Sequence, residues 1–374
     1  MNINLVREQF PYLKTGKIYF NHAAVSPIPK CSVEILKEYF AVRSKGEIEN
    51  YFSFQKTIIE TKELIGKWIN SDKNRIAFVD NTSNGLNILA QGLDWNVGDR
   101  ILLYNVEFPS NVYPFMNLKK YGVELDFISP TNGRIEFGDI EKNIQPQTKL
   151  LTLSHVQFLN GFRADLKTIG ELCRSKGIIF CVDGIQSVGA VPVDVEEMKI
   201  DLMSCGVYKW LMSVEGTAFI FLTEEMQERI NQKYVGWTSV KNAWDILNYD
   251  LTLADTARRF ENGAMNFPGI ASLNSAIKMF ESFGLNEVHK KIISNSEYLI
   301  DELGKLGISP SFAAKSKEEL SGIVSFKIEE VNKLNDDLLA NDIHCAVREG
   351  FLRISPHFYN DINEFNKLID LVKK

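Results

Sequence analysis

The stretch that decides the fold is CVDGIQSVGA at 181–190, followed by DLMSCGVYKWLMSVEG at 201–216. An apolar run ends at Asp183, Gln186 follows about one helical turn later, and Lys209 stands between two aromatic residues. Apolar and aromatic neighbours predict that the Lys209 side chain is buried. Burial lowers the pKa of an amine and favours the neutral, nucleophilic form. The stretch therefore predicts a reactive amine close to a carboxylate.

One cofactor, pyridoxal 5'-phosphate (PLP), needs this combination of side chains. Its aldehyde needs an amine for a Schiff base, which Lys209 can supply. A carboxylate such as Asp183 keeps the pyridine nitrogen protonated, and Gln186 can donate to the phenolate oxygen of the ring. Taken singly, Asp183 would be interpreted as a helix cap and Lys209 as a solvated side chain. Their conjunction favours the cofactor.

Further motifs lie along nearly the whole chain: YFNHAAVSPIP (19–29), NTSNGLN (81–87), EFPSN (107–111), SHVQFLNGFRADL (154–166), FENGAMNFPG (260–269) and REGFLRISPHFYN (348–360). With the Asp–Gln–Lys set, they resemble the class V aminotransferase family of fold-type I PLP enzymes. That family includes cysteine desulfurases, kynureninases and isopenicillin-N-epimerase-like proteins, and the last group is the most similar.

The order of elements predicts an α/β fold. Seven strand candidates stand at 76–79, 101–104, 125–128, 150–154, 178–182, 202–204 and 218–222, and helix candidates between them stand at 84–92, 110–121, 165–176 and 185–190. Strands that alternate with helices indicate a largely parallel sheet covered on both faces. The resemblance implies a fold-type I PLP transferase, with a mostly parallel seven-stranded sheet.

Two domains are predicted from the length and from a change of pattern after Arg259. The large PLP-binding domain is expected at 16–259. Residues 1–15 and 260–374 are expected to form a smaller α+β domain, with helices at 270–283, 285–306 and 362–372 and strands at 323–328 and 351–354.

The resemblance also implies how the cofactor is held. Thr82 and Ser83 stand where a strand passes into a helix, a place suited either to an anion or to an ordinary N-cap. The resemblance favours the PLP phosphate there. Phe108 takes a position where many relatives carry a His that stacks on the pyridine ring, and Gln157 and Tyr208 are expected near the ring.

Substrate contacts are implied in the same way. Arg353 matches an Arg that binds the α-carboxylate of the substrate through a forked salt bridge, although a surface Arg is the default interpretation. Asn21 and His22 are expected at the mouth of the site. Trp237 and Ala264 fall in segments that reach the active site of a neighbouring subunit, so a homodimer with shared sites is expected.

The predicted reaction starts with loss of the α-proton of a small α-amino acid, with Lys209 as acid and base. Transamination is favoured, and a C–S (β-eliminating) lyase, an epimerase and a cysteine desulfurase are alternatives. A desulfurase needs a nucleophilic Cys just ahead of the carboxylate-binding Arg, but none stands between Arg348 and Arg353, and Cys345 has the pattern of a buried strand end. A non-catalytic scaffold is the alternative of another class.

The composition of the chain indicates which classes of partner are excluded and in which cellular compartment the protein is expected. A net charge of −6 over 374 residues argues against nucleic-acid binding, and no apolar run is long enough to span a membrane. Five scattered cysteines and the lack of a signal-peptide pattern indicate a cytoplasmic protein. The histidines show no metal-ligand spacing, so no metal is expected.

Overall fold

The computed structural model describes residues 2–46 and 48–373. The strands, in chain order, are β1 (Ile18–Tyr19), β2 (Ile76–Val79), β3 (Arg100–Tyr104), β4 (Glu124–Ile128), β5 (Thr148–Ser154), β6 (Ile179–Asp183), β7 (Leu202–Gly206), β8 (Ala218–Leu222), β9 (Val324–Lys327), β10 (Ile343–His344), β11 (Ala346–Arg348) and β12 (Phe351–Ile354). The helices are α1 (Ile3–Arg7), α2 (Lys30–Lys45), α3 (Tyr51–Ile69), α4 (Thr82–Gly92), α5 (Tyr113–Met116), α6 (Phe137–Asn143), α7 (Leu166–Lys176), α8 (Glu224–Arg229), α9 (Phe267–Phe283), α10 (Leu285–Gly304), α11 (Val331–Ala340) and α12 (Ile362–Val372).

Seven strands form the central sheet, in the order β2-β8-β7-β6-β5-β3-β4. Strand β8 runs antiparallel to both neighbours, and the other pairings are parallel. Every residue of β6, β7 and β8 is buried, because helices cover both faces of the sheet. The predicted α/β class with a mostly parallel seven-stranded sheet is confirmed.

The parallel strands place their carboxyl ends at one edge of this sheet. Residues 80–83 follow β2, 105–109 follow β3, 155–157 follow β5 and 184–186 follow β6, and Lys209 follows β7. Strand β8 begins at the same edge, where Ala218 pairs with Gly206. Ligands of open α/β sheets bind beyond the carboxyl ends of the strands. The edge therefore locates the candidate site.

The helix predicted at 185–190 is wrong, because residues 184–191 form consecutive turns. Backbone N–H groups of Ser187 and Val188 both donate to the Gly184 carbonyl, and the next turn closes on the Ser187 carbonyl. Gly189 then adopts a φ of 92°, and a Cβ atom there would lie 2.8 Å from the Trp210 carbonyl oxygen. The close contact of Gly189 with the segment that carries Lys209 therefore favours these turns over a continuous helix.

The stretch predicted as one helix at 110–121 is broken into short pieces. A 3-10 turn at Pro109–Asn111 precedes α5, and a second at Asn117–Tyr121 follows it. Pro114 lies in the first turn of α5, where its missing N–H costs no hydrogen bond. Pro109 and Pro114 each favour the beginning of a new helical segment, so one continuous helix does not form.

Helices α3 and α9 pack on one face of the central sheet, against side chains of β2 and β8. Helices α2 and α3 pack against α9, and Asn266 caps α9 by accepting from the Gly269 N–H. Ten of the 17 residues of α9 are buried, as expected for a helix that packs on several sides. No helix in the described ranges has the length and hydropathy of a membrane span.

A second, three-stranded antiparallel sheet has the order β11-β12-β9. One face is apolar and packs against α10 and α12 through Val324, Phe326 and Leu352. Near it, β1 pairs with β10, and Asn21 bridges to Ser355 just beyond β12. The N-terminal segment thus lies beside the C-terminal strands. The domain division stays a prediction, and its ends at 1 and 374 lie outside the described residues.

Candidate active site

Asp183 and Lys209 both lie at the carboxyl edge of the central sheet, close enough for their charges to interact. Asp183 ends β6, and Lys209 follows β7 by three residues. Their exposed fractions are only 2% and 6%. Burial raises the pKa of Asp183 and lowers the pKa of Lys209, while the charge of each opposes the shift of the other. The pair thus combines a carboxylate with an amine that gives up its proton unusually easily.

Neither member of this pair is used in a salt bridge within the described part of the chain. Asp183 accepts one hydrogen bond, from the Ile185 N–H at 3.0 Å. A buried carboxylate with so little satisfaction suits a cationic partner from a ligand. The protonated pyridine nitrogen of PLP is such a partner, so this observation fits the predicted cofactor.

Two aromatic rings flank the amine. The Lys209 Nζ atom lies 5.6 Å from the ring centroid of Phe108 and 5.9 Å from that of Tyr208. Phe108 is 42% exposed and makes an edge-to-face contact with Phe158, with centroids 5.2 Å apart. An exposed aromatic face beside the amine can stack on a planar ring. Stacking by Phe108 stays a prediction, as does the contact of Tyr208.

The start of α4 forms the candidate phosphate site. Asn81 caps the helix by accepting from the Asn84 N–H at 2.9 Å. The Thr82 hydroxyl accepts from the Gly206 N–H at 3.0 Å, which ties the helix to the end of β7. The Ser83 hydroxyl donates to Ser110 at 2.9 Å, which ties the helix to the loop after Phe108. Hydroxyls and free N–H groups at a helix start suit a phosphate.

Gln186 is held by protein groups on both sides of its amide. Its Nε2 atom donates to the Ala23 carbonyl at 2.9 Å, and its Oε1 atom accepts from Trp210 Nε1 at 2.7 Å. Gln186 therefore fixes the residue next to Lys209 and joins it to the N-terminal segment. Its predicted contact with the phenolate oxygen of the cofactor stays a prediction.

Gln157 depends on a carboxylate that sequence reasoning missed. Its Nε2 atom donates to Glu107 at 2.7 Å, while its Oε1 atom is buried without a protein partner. The same Glu107 carboxylate accepts from the Ser154 N–H and hydroxyl and from the Asn111 amide. The only sign of this role in the sequence is that Glu107 directly precedes Phe108 in the EFPSN motif. Gln157 is thereby oriented, and its open acceptor is available to a ligand.

Arg353 is the clearest candidate for binding an anion. It is 2% exposed, and its Nη1 and Nη2 atoms donate to the Phe158 carbonyl at 2.8 Å and to Asn21 Oδ1 at 3.4 Å. Its Nε atom has no partner, and burial, followed by the nearby charge of Arg348, lowers its pKa to about 10. A buried guanidinium without a carboxylate is costly unless a ligand supplies the anion.

His22 does not line the mouth of the site, contrary to the expectation from sequence. It is fully buried, and its Nδ1 and Nε2 atoms lie 2.7 Å from the Ser355 carbonyl oxygen and 2.6 Å from the Tyr359 hydroxyl. Burial lowers the pKa of His22 to about 3, so the ring is neutral. The neighbouring Asn21 is the residue that reaches Arg353.

Trp237 and Ala264 lie apart from the residues around Lys209 in this single chain. Trp237 is 44% exposed and packs against Tyr51 and Trp244, with ring centroids 5.9 and 5.3 Å away. Ala264 is exposed and lines a groove of about 600 Å³ that also borders Asp80 and Asn84 near the phosphate site. Among the described residues, neither forms a hydrogen bond or an aromatic contact with Lys209 or Arg353.

Comparison with known proteins gives relatives of matching length. The chain is 28% identical to a probable cysteine desulfurase of Pyrococcus abyssi (strain GE5 / Orsay), over 99% of this chain and 96% of that protein. It is 24% identical to the uncharacterized aminotransferase YcbU of Bacillus subtilis (strain 168), over 97% of this chain and 95% of that protein.

Solved structures agree with the fold and the cofactor. The cystine C–S lyase C-DES in complex with its product cysteine persulfide is 25% identical, with a TM-score of 0.90, over 98% of this chain and 99% of that one. A C-DES variant with glycine covalently linked to PLP has a TM-score of 0.91 at the same identity and coverage. The predicted cofactor, PLP, is confirmed. The family model of the class-V aminotransferases matches residues 18–368, and the chain belongs to that family.

Proposed function

We propose that this PLP-dependent enzyme of the class V family is a C–S lyase, which eliminates a sulfur substituent from the β-carbon of a small α-amino acid. The observation that carries the proposal is that the site combines Lys209, an amine of lowered pKa, with the buried Arg353, which has no carboxylate partner among the described residues. The first can remove the α-proton and the second can hold the carboxylate that makes the substrate an α-amino acid.

When bound, PLP supplies an aldehyde that condenses with amines and a ring that delocalises the electron pair left at Cα. Asp183 would hold the pyridine nitrogen in its protonated form, because Lys209 is the only cation that acts on this carboxylate among the described residues. Arg353 and Asn21 would orient the substrate carboxylate. Lys209 would take the α-proton, since burial lowers its pKa to about 8, near neutrality.

The position of the thiols supports elimination over a persulfide-forming desulfurase. No cysteine follows Cys345 in the sequence, and Cys345 itself is buried between β10 and β11. Burial also raises the pKa of its thiol, which disfavours the nucleophilic thiolate. Sulfur would therefore leave with its substituent as a free product. The similarity to the cystine C–S lyase C-DES supports the same reaction.

Transamination is the second candidate. It needs one group that moves a proton from the substrate to the cofactor, and Lys209 by itself is sufficient for this. The Bacillus subtilis relative is named an aminotransferase. Both reactions use the same carboxylate site at Arg353, so the products distinguish them.

The test is product analysis with the PLP-loaded enzyme and L-cystine, L-cysteine and S-alkyl cysteines. We expect pyruvate and ammonia in equal amounts, together with cysteine persulfide from L-cystine, sulfide from L-cysteine and a thiol from S-alkyl cysteines. Keto acid without ammonia, dependent on an added keto-acid acceptor, would instead establish transamination. A persulfide on the protein after reaction with L-cysteine, detected by intact mass together with alanine as the product, would establish a desulfurase. No product from any of these amino acids would overturn the proposal.

We also propose a cytoplasmic homodimer with shared active sites. Free cysteines fit the cytoplasm. The exposed Trp237, Trp244 and Phe52 form an aromatic patch of the kind that an interface covers. Ala264 borders the groove beside the phosphate site, where a second subunit could complete it.

Mixing inactive chains tests this assembly. Lys209→Ala and Trp237→Ala chains are each expected to be nearly inactive as homodimers. After subunit exchange, the mixture should regain up to about a quarter of the parent activity, because half of the dimers are mixed and each has one intact site. A monomer at working concentration, or exchange without recovery, would contradict shared sites.

A further inference from the structure

The polar face of the small sheet is turned toward the active site. Side chains alternate between the faces of a strand, and directly paired residues share a face. Arg353 of β12 pairs with Ser325 of β9 and with Ala346 of β11. Ser325 donates to the Leu159 carbonyl, and Arg353 donates to the Phe158 carbonyl. This row therefore packs on the segment after Gln157, and the next row on the same face lies two residues away.

That next row carries two cations. Phe351 of β12 pairs with Lys327 of β9 on one side and with Arg348 of β11 on the other. Neighbouring strands lie about 4.8 Å apart, so the Cα atoms of Lys327 and Arg348 are separated by about 10 Å. Along β12, Phe351 precedes Arg353 by two residues, or about 7 Å. The half-buried ring of Phe351 is thus flanked by Lys327 and Arg348, two residues along β12 from Arg353.

The two cations in this row have no carboxylate partner among the described residues. Lys327 and Arg348 are exposed, and neither forms a salt bridge within the described ranges. The guanidinium of Arg348 instead donates to the adjacent Val347 carbonyl at 2.8 Å. Burial is the main reason why the pKa values of Arg353 and Lys209 are lowered, and the positive charge of Arg348 lowers both further. The charge of Arg348 therefore reaches the active site. Three cations therefore share one sheet face without a carboxylate.

We propose that Lys327 and Arg348 form a subsite for a second anionic group of the substrate, with Phe351 as its floor. The substrate class is then an α-amino acid with a second carboxylate, or an equivalent anion, beyond the β-position. The first carboxylate binds Arg353, and the second lies about 7 Å away, over Phe351. This inference rests on the proposed function, because it assumes that Arg353 holds the α-carboxylate.

Two amine-free ligands test the subsite by equilibrium binding to the PLP-loaded enzyme. The dianion 3-(carboxymethylthio)propionate and its neutral-ended analogue 3-(carbamoylmethylthio)propionate differ only in the distal charge. Without an amine, neither ligand is turned over, so calorimetry gives a true dissociation constant. We expect the parent enzyme to bind the dianion at least about tenfold more tightly, as for one charge-assisted contact.

Arg348→Gln and Lys327→Gln should each reduce this preference severalfold, and the double variant should remove it. Binding of the neutral-ended ligand should change less than about twofold, because Arg353 is intact. Lys333→Gln in α11, which removes an exposed charge from the same part of the chain, is the matched control and should keep the preference. Arg348→Lys should restore part of it.

Equal affinity for both ligands in the parent, or a preference that survives in the double variant, would overturn the subsite. These outcomes are separate from failure of the proposed function, which shows as a lack of products from any amino acid. An enzyme that turns over amino acids but does not distinguish the two ligands would keep the lyase proposal and lose the subsite.

Discussion

Lys209→Ala should abolish the covalent attachment of the cofactor and lower turnover by at least about 10²- to 10⁴-fold, the range for loss of a general acid or base. Loss of the covalent anchor adds to this effect. The physical reason is that burial gives this amine a pKa of about 8, whereas an exposed lysine stays protonated. Borohydride reduction of the parent enzyme followed by peptide mapping should place the label on Lys209.

The control for this variant is Lys176→Ala, which removes an exposed lysine at the end of α7. It should keep the parental turnover and labelling. Lys209→Arg keeps a positive charge but offers no amine, so it should fail as completely as the Ala variant. Label on another lysine, or undiminished turnover without Lys209, would refute the assignment.

Asp183→Asn is expected to give the second largest effect. The amide keeps the shape and can still accept from the Ile185 N–H, but it removes the negative charge beside the pyridine nitrogen. PLP should still bind, while turnover should fall by about 10²- to 10³-fold, as for the loss of one preorganised electrostatic partner. The measurement is the turnover number at saturating cofactor, together with a titration of PLP binding.

Asp201→Asn provides a matched comparison for Asp183→Asn. Asp201 is also a buried carboxylate that accepts from a backbone N–H, that of Phe180, but it lies at the opposite end of these strands. Its replacement should lower stability without a selective loss of turnover per bound cofactor. If both variants lose turnover equally, or if Asp183→Asn keeps normal turnover, Asp183 is a structural residue.

The central sheet was predictable because most of its strands are short apolar runs, and several of them end just before a polar residue. The strands at 76–79 and 218–222 were predicted at their observed ends, and the other five within two residues. The helix predicted at 185–190 was wrong because Gly189 has a positive φ that ends any helix there, and its close contact with Trp210 determines the turns. Local pattern does not report such contacts.

The candidate site was predictable where a residue type is unusual for its surroundings. A lysine among aromatic residues and an arginine within a strand stand out, so Lys209 and Arg353 were found. Glu107 did not stand out, because its role depends on Ser154 and Gln157, which lie about fifty residues away in the chain. His22 was misplaced because sequence does not reveal that Tyr359 covers it.

The short segment from Asn21 to Ala23 has a consequence for how the enzyme is made. Ala23 accepts from Gln186, which in turn holds Trp210, and His22 and Asn21 contact Tyr359 and Arg353. The last two contacts span 337 and 332 residues. Contacts of such separation form late, since loop closure must precede them. A nascent chain therefore cannot bring the Lys209 amine and the Arg353 guanidinium into register until the C-terminal strands have been synthesised. A fully formed active site is thus evidence that the N-terminal and C-terminal parts of the chain have folded together.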